Sequence, residues 1–282
     1  VSLGEKVMRH GQKKISPARE VSYRTLSPSG VRRSKGLLAV ESALEVVVNG
    51  RPHSLLMYTP GAEKELVTGY LHTEGLIDAP DEITGFEFEK GPDFLEIEGR
   101  RVQVTLPGLP PESPLPERPA LSLSGCGLCG KEALDLVGRG LFRVRSKQVF
   151  FWSVLSGLLE DLRRHQPLYR QTRGVHAAAM YQADGTFLCC YEDVGRHNAL
   201  DKVIGRGLLA GWSFDDKLIV LSGRASLEMV LKTVRAGMPL CVCFSSPSVL
   251  AVEAAKALNL TLVGRREDRS LAAYTHTRRL KE

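Results

Sequence analysis

Apolar and polar positions in the first part of the chain follow the short-period pattern of strands. Asn49-Gly50 separates two apolar-rich segments, Ser42–Val48 and Arg51–Tyr58. Both turn positions tolerate positive φ, so this dipeptide predicts a hairpin. Helical spacing of apolar residues then predicts a helix from Ala62 to about Glu74. Three more short strands are predicted at 83–89, 94–98 and 102–106.

From residue 131 onward, helical and strand-like patterns alternate. A leucine-rich stripe predicts an amphipathic helix from Val149 to about Arg164. Val175–Gln182, the turn at Asp184-Gly185 and Thr186–Tyr191 predict a second hairpin. The predicted elements that follow are helix 198–209, strand 217–221, helix 226–235, strand 240–244, helix 247–258 and strand 260–263. This order predicts an α/β fold in which helices close over a mostly parallel sheet.

Residues 107–130 differ from both regions. Six of the 15 prolines lie between Pro107 and Pro119, and proline is excluded from helix interiors and central strands. The segment is therefore predicted to be a mobile connector ending in a Cys-x-x-Cys loop. The predicted domain order is a mobile tail over 1–20, a smaller β-rich N-terminal domain over 21–106, this connector, and an α/β domain over 131–282.

Composition narrows the class of protein. Of the 282 residues, 43% are hydrophobic and 25% are charged, as in ordinary globular proteins. No stretch reaches the ~20 apolar residues of a membrane helix, and the basic N-terminal segment lacks the apolar core of a signal peptide. We therefore expect a cytoplasmic protein that does not associate with membranes. The net charge of +6 fits anionic partners, but the chain has no aromatic-basic motif that would predict nucleic-acid binding.

The cysteines are the first candidates for chemistry, because a reducing cytoplasm disfavours structural disulfides. Cys126-Gly-Leu-Cys129 lies between Gly125 and Gly130, which leaves both sulfurs uncrowded. Cys-x-x-Cys pairs often hold one thiolate at neutral pH, and the thiolate is the sulfur nucleophile. The other four cysteines lie in predicted strands and are interpreted as small buried hydrophobes: Cys189, Cys190, Cys241 and Cys243.

Three chemistries remain open for this dithiol. Sulfur relay suits a loop on a mobile connector. Structural zinc needs four ligands, and a second Cys-x-x-Cys is absent, although Cys241 with Cys243 or a histidine could complete a set. A thioredoxin-like redox role would place the motif between a strand and a helix, which its proline-rich context does not favour.

Three polar segments follow predicted strands of the α/β domain, and ligands of such sheets bind at the carboxyl ends of the strands. Each segment precedes a helix, whose free N–H groups favour an anion. Together they predict one nucleotide pocket, although none is a recognised phosphate-binding fingerprint by itself. The candidate binding residues are His197, Asn198 and Lys202 in the first segment, Ser222, Gly223 and Arg224 in the second, and Phe244, Ser245, Ser246, Pro247, Ser248 and Val249 in the third. His176, at the start of a predicted strand, is interpreted equally well as a packed or a functional side chain.

Seven groups of short segments stand out along the chain, in this order: Thr59-Pro60, Gly69–Leu71 with Glu74-Gly75, Cys126-Gly-Leu-Cys129, Gly174-Val-His-Ala177, Glu192–Lys202, Ser222–Arg224 with Glu228-Met229, and Leu260–Gly264. In these segments and their order the chain resembles the FdhD family of formate dehydrogenase accessory sulfurtransferases. The resemblance runs from about residue 42 to the end, and together the segments are specific although each alone is weak.

The resemblance implies a cytidine-deaminase-like α/β/α second domain and a homodimer. It implies that a cysteine desulfurase hands sulfur to Cys126 as a persulfide, with Cys129 as its partner. The sulfur would then become a ligand of molybdenum in the bis(molybdopterin guanine dinucleotide) cofactor, a bound substrate contacted by Phe244–Val249. The deaminase zinc signature itself is missing, because alanines follow His176 and glycine precedes Cys126. One departure from the family pattern is Arg173, where a small residue is expected.

Two functions of different classes follow. The first is the sulfurtransferase, an enzyme without a tightly held metal of its own. It would act with the desulfurase and the apo formate dehydrogenase as partners. The second is a non-catalytic, zinc-stabilised, nucleotide-binding chaperone of the apo-dehydrogenase, which predicts stoichiometric zinc on the protein.

Overall fold

The computed structural model describes residues 15–93, 95, 97–109 and 143–282, which form two compact units. No helix in these ranges is long and apolar enough to cross a membrane. The first unit comprises residues up to Gly61 and those from Asp81 to Ser124, and the second comprises Ala62–Pro80 and Gly125–Glu282. The predicted Cys-x-x-Cys loop and most of the proline-rich connector lie outside the described residues.

The first unit is made of strands. Two antiparallel strands, β1 and β2, form a separate ribbon, and the other four form a sheet in the order β4-β3-β6-β5. Their bounds are β1 Ala18–Ser27, β2 Gly30–Ala39, β3 Ser42–Val48, β4 Arg51–Tyr58, β5 Gly85–Lys90 and β6 Arg100–Thr105. The Asn49-Gly50 hairpin is confirmed, with positive φ at both residues (49° and 77°). Strand β1 begins at Ala18, inside the range 1–20 that was predicted as a tail.

The second unit contains a six-stranded sheet in the order β13-β12-β11-β10-β8-β9. Its strands are β8 His176–Gln182, β9 Phe187–Asp193, β10 Lys217–Leu221, β11 Leu240–Cys243, β12 Thr261–Arg265 and β13 Leu271–Ala273. Two short strands pair separately: β7 Phe150–Phe151 and β14 Leu280–Lys281. Only β10, β11 and β12 run parallel, so the prediction of a mostly parallel sheet is wrong. The hairpin β8–β9 and the short return to β13 add antiparallel neighbours on both sides.

Helices cover both faces of this sheet. Their bounds are α1 Glu63–Thr73, α2 Trp152–Arg164, α3 Pro167–Thr172, α4 Arg196–Leu209, α5 Leu227–Arg235 and α6 Val249–Ala257, with 3-10 turns at Pro80–Glu82 and Thr277–Arg279. One face buries apolar side chains against α4, α5 and α6, and the other buries the leucine stripe of α2. This arrangement is a mixed α/β fold; the narrower cytidine-deaminase-like layout stays a prediction.

Helix α1 belongs to the second unit, although the sequence-based boundary assigns it to the β-rich domain. Glycines allow α1 and α4 to pack with their backbones in contact. A Cβ atom on Gly69 would lie 1.9 Å from the carbonyl oxygen of Asp201, and one on Gly205 would lie 1.9 Å from that of Glu65. Across the same interface, Lys232 donates to Thr73 Oγ1 at 2.8 Å and to both carboxylate oxygens of Asp201 at 2.8 and 2.9 Å. Tertiary packing therefore joins residues 62–80 to the α/β unit.

Candidate functional site

The three polar segments predicted to form one pocket lie at one edge of the large sheet. Strand β8 runs antiparallel to β10, so its first residue, His176, reaches the edge where β9 and β10 end. The backbone N–H of Ala177 donates to Ser222 Oγ at 2.8 Å, and the Ser222 N–H donates to the Ala177 carbonyl at 2.9 Å. The N–H of Phe244 donates to the carbonyl of Leu221 at 3.0 Å. These bonds hold the ends of neighbouring strands together.

The first segment is organised by a buried carboxylate. Asp193 is fully buried, and its Oδ1 accepts hydrogen bonds from the Gly195 N–H at 2.9 Å and from Asn198 Nδ2 at 3.1 Å. Its Oδ2 lies 2.7 Å from Nζ of Lys202, a side chain only 2% exposed. Asn198, which is partly buried, and Lys202, which is almost fully buried, are both predicted ligand residues, and both also hold the turn before α4 through Asp193.

His197 is the residue of this segment that faces the next helix. Its Nε2 lies 2.7 Å from Oε2 of Glu228 in the first turn of α5, and both side chains are mostly buried. The pKa of nearby His176 is lowered, first by burial and then by the charges of Arg196 and His197. His176, whose pKa is lowered, and the His197–Glu228 pair thus both lie at this edge of the sheet.

The second segment offers an exposed cation. Arg224 is exposed and forms no ion pair with any described residue. It precedes α5, whose N-cap, Ser226, makes no side-chain capping bond. The buried Oγ of Ser226 has no hydrogen-bond partner within the described ranges. An arginine beside a helix N-terminus is suited to a phosphate oxygen.

The third segment begins its helix later than predicted. The predicted helix 247–258 begins at Pro247, but the observed N-cap is Ser248, whose Oγ accepts from the Ala251 N–H at 3.3 Å. The chain first packs against β12: a Cβ atom on Gly264 would lie 3.1 Å from both Pro247 Cδ and the Ser245 carbonyl oxygen. Ser245, Ser246, Ser248 and Val249 remain exposed, whereas Phe244 and Pro247 are partly buried.

Two arginines beside Phe244 were missed by sequence reasoning. The guanidinium of Arg163, in α2, lies 4.6 Å from the Phe244 ring centroid, and that of Arg265, at the end of β12, lies 5.1 Å from it. Glu160 contacts both arginines, at 3.4 and 3.7 Å. No local motif marks these residues, because they come from elements about 100 residues apart. They add positive charge next to a segment predicted to contact an anionic ligand.

Arg173, where the family pattern suggests a small residue, ends α3 in the left-handed region with φ of 58°. Glycine is favoured at such a position because it has no Cβ atom. The Arg173 guanidinium lies 5.2 Å from the ring centroid of Tyr169 in the same helix. The unusual residue is therefore accommodated by a local contact.

The cysteines within the described ranges have the environment of inert thiols. Cys241 and Cys243 are buried on one face of β11, as predicted, whereas Cys189 and Cys190 are partly buried and point to opposite faces of β9. Burial raises the pKa of Cys189 to about 12 and that of Cys243 to about 11. It also raises the pKa values of the other two thiols. Within those ranges, no group of three or more potential metal ligands is close enough to hold a metal ion. Cys126 and Cys129 lie outside them.

Comparison with known proteins identifies the family. Residues 39–281 match the model of the FdhD/NarQ family. The chain belongs to that family. It is 38% identical over 268 residues to the sulfur carrier protein FdhD of Nocardia farcinica, with 91% of this chain and 92% of the relative covered. It is 34% identical over 282 residues to the same-named protein of Mycolicibacterium paratuberculosis, with 94% and 99% covered.

The family fold is also found among crystal structures. A protein described as a formate dehydrogenase accessory protein from Desulfotalea psychrophila superimposes with a TM-score of 0.74. The match covers 94% of this chain and 100% of the other, at 24% sequence identity. The mixed α/β architecture is therefore shared by the two proteins.

Proposed function

We propose that this protein is a sulfurtransferase. It receives sulfur from a cysteine desulfurase as a persulfide on Cys126. It then transfers the sulfur to the molybdenum bis(molybdopterin guanine dinucleotide) cofactor required by formate dehydrogenase. The proposal rests on one contrast among the six cysteines. Four lie in the sheet as thiols whose pKa values are raised, which leaves Cys126 and Cys129 as the candidate nucleophiles. The names of the curated relatives, sulfur carrier proteins, support the same assignment.

Each transfer exchanges one sulfur bond for another. The Cys126 thiolate attacks the outer sulfur of the donor persulfide; a new S–S bond forms at Cys126, the donor S–S bond breaks, and the donor cysteine leaves as a thiolate. In the second transfer, the Cys129 thiolate attacks Sγ of Cys126, and the outer sulfur leaves as the sulfide ligand of molybdenum. The outer sulfur is reduced to sulfide by two electrons from Cys126 and Cys129, which are oxidised to a disulfide. A cellular thiol then reduces this disulfide.

The cofactor is the bound substrate, and its guanine nucleotide phosphates would lie at the carboxyl edge of the sheet. Arg224 and the N-termini of α4, α5 and α6 supply positive charge there. His176, His197, Ser222, Gly223 and the segment Phe244–Val249 would line the site. Asn198 and Lys202 would act indirectly, by holding the turn around Asp193. Arg163 and Arg265, which lie beside Phe244, would add positive charge to the same site.

The partners follow from the same proposal. They are a desulfurase as sulfur donor, the apo formate dehydrogenase as recipient of the sulfurated cofactor, and a second copy of this chain in a homodimer. A persulfide carrier needs a reducing compartment, because an oxidising one would close its thiols into a disulfide. We therefore propose that the protein works in the cytoplasm.

The carrier role is tested by mass spectrometry. The purified protein is incubated with a cysteine desulfurase and cysteine, without reductant, and its peptides are weighed. We expect one added sulfur atom on the Cys126 peptide that a thiol removes, and no such addition in a Cys126→Ser variant. Cys241→Ser serves as the matched control, because it removes a buried thiol and should leave the modification unchanged. Unmodified Cys126 in the presence of an active donor would overturn the proposal, and zinc content would then be measured.

The nucleotide site is tested separately, with guanosine diphosphate as the probe. Calorimetry should show that Arg224→Gln weakens binding at least tenfold, whereas Arg269→Gln, which removes another exposed arginine from the loop before β13, should not. If the Arg224→Gln variant and the parent protein bind guanosine diphosphate with equal affinity, the carboxyl edge of the sheet is not the nucleotide site.

A further inference from the structure

An open cleft lies at the opposite edge of the same sheet. Its volume is about 930 Å³, and it is lined by the residues that precede β10, by the end of α5 and by the extended segment 143–148. Asp215 and Asp216 precede β10 and Gly237 precedes β11, so the cleft is at the amino ends of these strands. Strand β10 has five residues, which places the two edges about 17 Å apart. The cleft shares no residue with the candidate cofactor site.

One wall of the cleft presents three cations in a row. Arg143, Arg145 and Lys147 alternate with Val144 and Ser146 along the extended segment, so their side chains leave the same side of the backbone. All three are exposed, whereas Val144 is buried in the core. None of the three forms an ion pair with another described residue.

The backbone of this wall is fixed by the core. The N–H of Val144 donates to the Leu258 carbonyl at 3.0 Å, and its carbonyl accepts from Asn259 Nδ2 at 2.6 Å. The carbonyl of Ser146 accepts two bonds from the buried guanidinium of Arg279, at 3.2 and 3.1 Å. The positions from which the three cations project are therefore set before any ligand arrives, which lowers the entropic cost of binding.

The charge that remains in the cleft is positive. Arg235 Nη2 is paired with Asp78 at 2.5 Å, and Asp216 is paired with Lys217 at 2.5 Å. Of the lining carboxylates, only Asp215 has no described cation partner. Three unpaired cations against one carboxylate leave two positive charges in excess. This excess outweighs the roughly half negative charge at the C-terminus of α5.

We propose that this cleft is a second binding site, for a small phosphorylated molecule such as a nucleotide or sugar phosphate. Alternate residues of an extended chain lie about 6.6 Å apart. At this spacing, two guanidinium forks and an ammonium can contact successive phosphate oxygens. Asp215 Oδ1 accepts a hydrogen bond from Ser213 Oγ, and its second carboxylate oxygen suits a hydroxyl or amino donor of the same ligand. The cleft volume is that of ordinary small-molecule sites.

The test needs a readout for each edge of the sheet. Inorganic pyrophosphate is the probe, and backbone amide chemical shifts of the full-length protein are followed by NMR, with Gly237 reporting on the cleft and Gly223 on the cofactor edge. We expect a saturable shift at Gly237 that weakens steeply with salt. The variant Arg143→Gln/Arg145→Gln/Lys147→Gln should weaken that binding at least tenfold and leave any response at Gly223 unchanged.

A matched control separates the site from general charge. The variant Arg24→Gln/Arg32→Gln/Arg33→Gln removes three exposed arginines from the β1–β2 ribbon, and it should alter binding at Gly237 less than twofold. The proposal is overturned if Gly237 shows no saturable shift, if the shift persists in the cleft variant, or if both variants lose binding equally. All substituted side chains are exposed, so a dispersed amide spectrum is expected to show that each variant folds. These outcomes are independent of persulfide formation at Cys126.

Discussion

The pair Asp193–Lys202 gives the sharpest prediction about how the cofactor edge is held. Replacing Lys202 by Met keeps the volume of the side chain and removes its charge. Because Asp193 is fully buried, its carboxylate then stays in the protein interior without its cation. At the observed 2.7 Å separation, the Coulomb attraction at an effective dielectric constant of 20 is ~6 kcal/mol.

The measured loss should be smaller than that attraction. Gly195 and Asn198 still donate hydrogen bonds to the carboxylate and stabilise part of its charge. Broken buried ion pairs typically cost about 3–5 kcal/mol, and we expect Lys202→Met to lower the free energy of unfolding by that amount. Arg224→Gln, at an exposed position of the same edge, should change it by no more than about 0.5 kcal/mol.

Urea unfolding of four proteins measures the coupling: the parent, Lys202→Met, Asp193→Asn and the double variant. Asparagine keeps the oxygen that accepts from Gly195 and Asn198, so the double variant contains neither charge and keeps the hydrogen bonds of the turn before α4. Its cost should be lower than the sum of the single costs by at least about 2 kcal/mol. Additive costs, or a Lys202→Met cost below about 1 kcal/mol, would show that Lys202 is not a structural cation.

Three further outcomes follow from packing and from pKa values. Gly69→Ala forces a Cβ atom against the backbone of α4 and should lower the free energy of unfolding, measured in urea, by about 1–3 kcal/mol or more. Gly157→Ala places its Cβ atom in open space on α2 and should raise the free energy of unfolding by up to about 1 kcal/mol. The four described cysteines should resist iodoacetamide at pH 7.5 until urea is added, and native labelling of any of them, detected by peptide mass, would contradict their burial. Because the folded protein lowers the pKa of His176 below its ordinary 6.5, the unfolded chain binds more protons in that range. Stability is therefore lost as pH falls below about 6.5, and a His176→Gln variant that loses as much stability between pH 7.5 and 5.5 as the parent would contradict this assignment.

Local sequence patterns were sufficient to predict most individual helices and strands. Strand β10 has the predicted bounds, Lys217–Leu221, and the Asn49-Gly50 turn lies where its dipeptide places it. Periodicity and turn chemistry act over a few neighbouring residues, so a sequence displays them directly. The start of α6 was misplaced because Pro247 could have begun a helix. Contact with Gly264, from another strand, keeps Ser245 to Pro247 outside it.

The same distinction holds for the candidate site. The residue types of its three segments, and their position after strands, are visible in the sequence. Which side chains face a ligand is not, because burial depends on elements distant in the chain: Lys202 points inward to Asp193, and His197 meets Glu228 from the next helix. The paired arginines around Phe244 come from α2 and β12, so only the folded sheet brings them together.

The sequence by itself determined the family, the cysteine pair and most of the helices and strands, since these depend on residue identity and short-range spacing. The ribbon of β1 and β2, the short helix α3 and strand β13 were not predicted. Tertiary structure alone decided that α1 packs on α4, that the sheet is mixed, and that positive charge gathers at both of its edges. Those features depend on close approach and on charge left unpaired after folding. Both arise between residues that are far apart in the sequence.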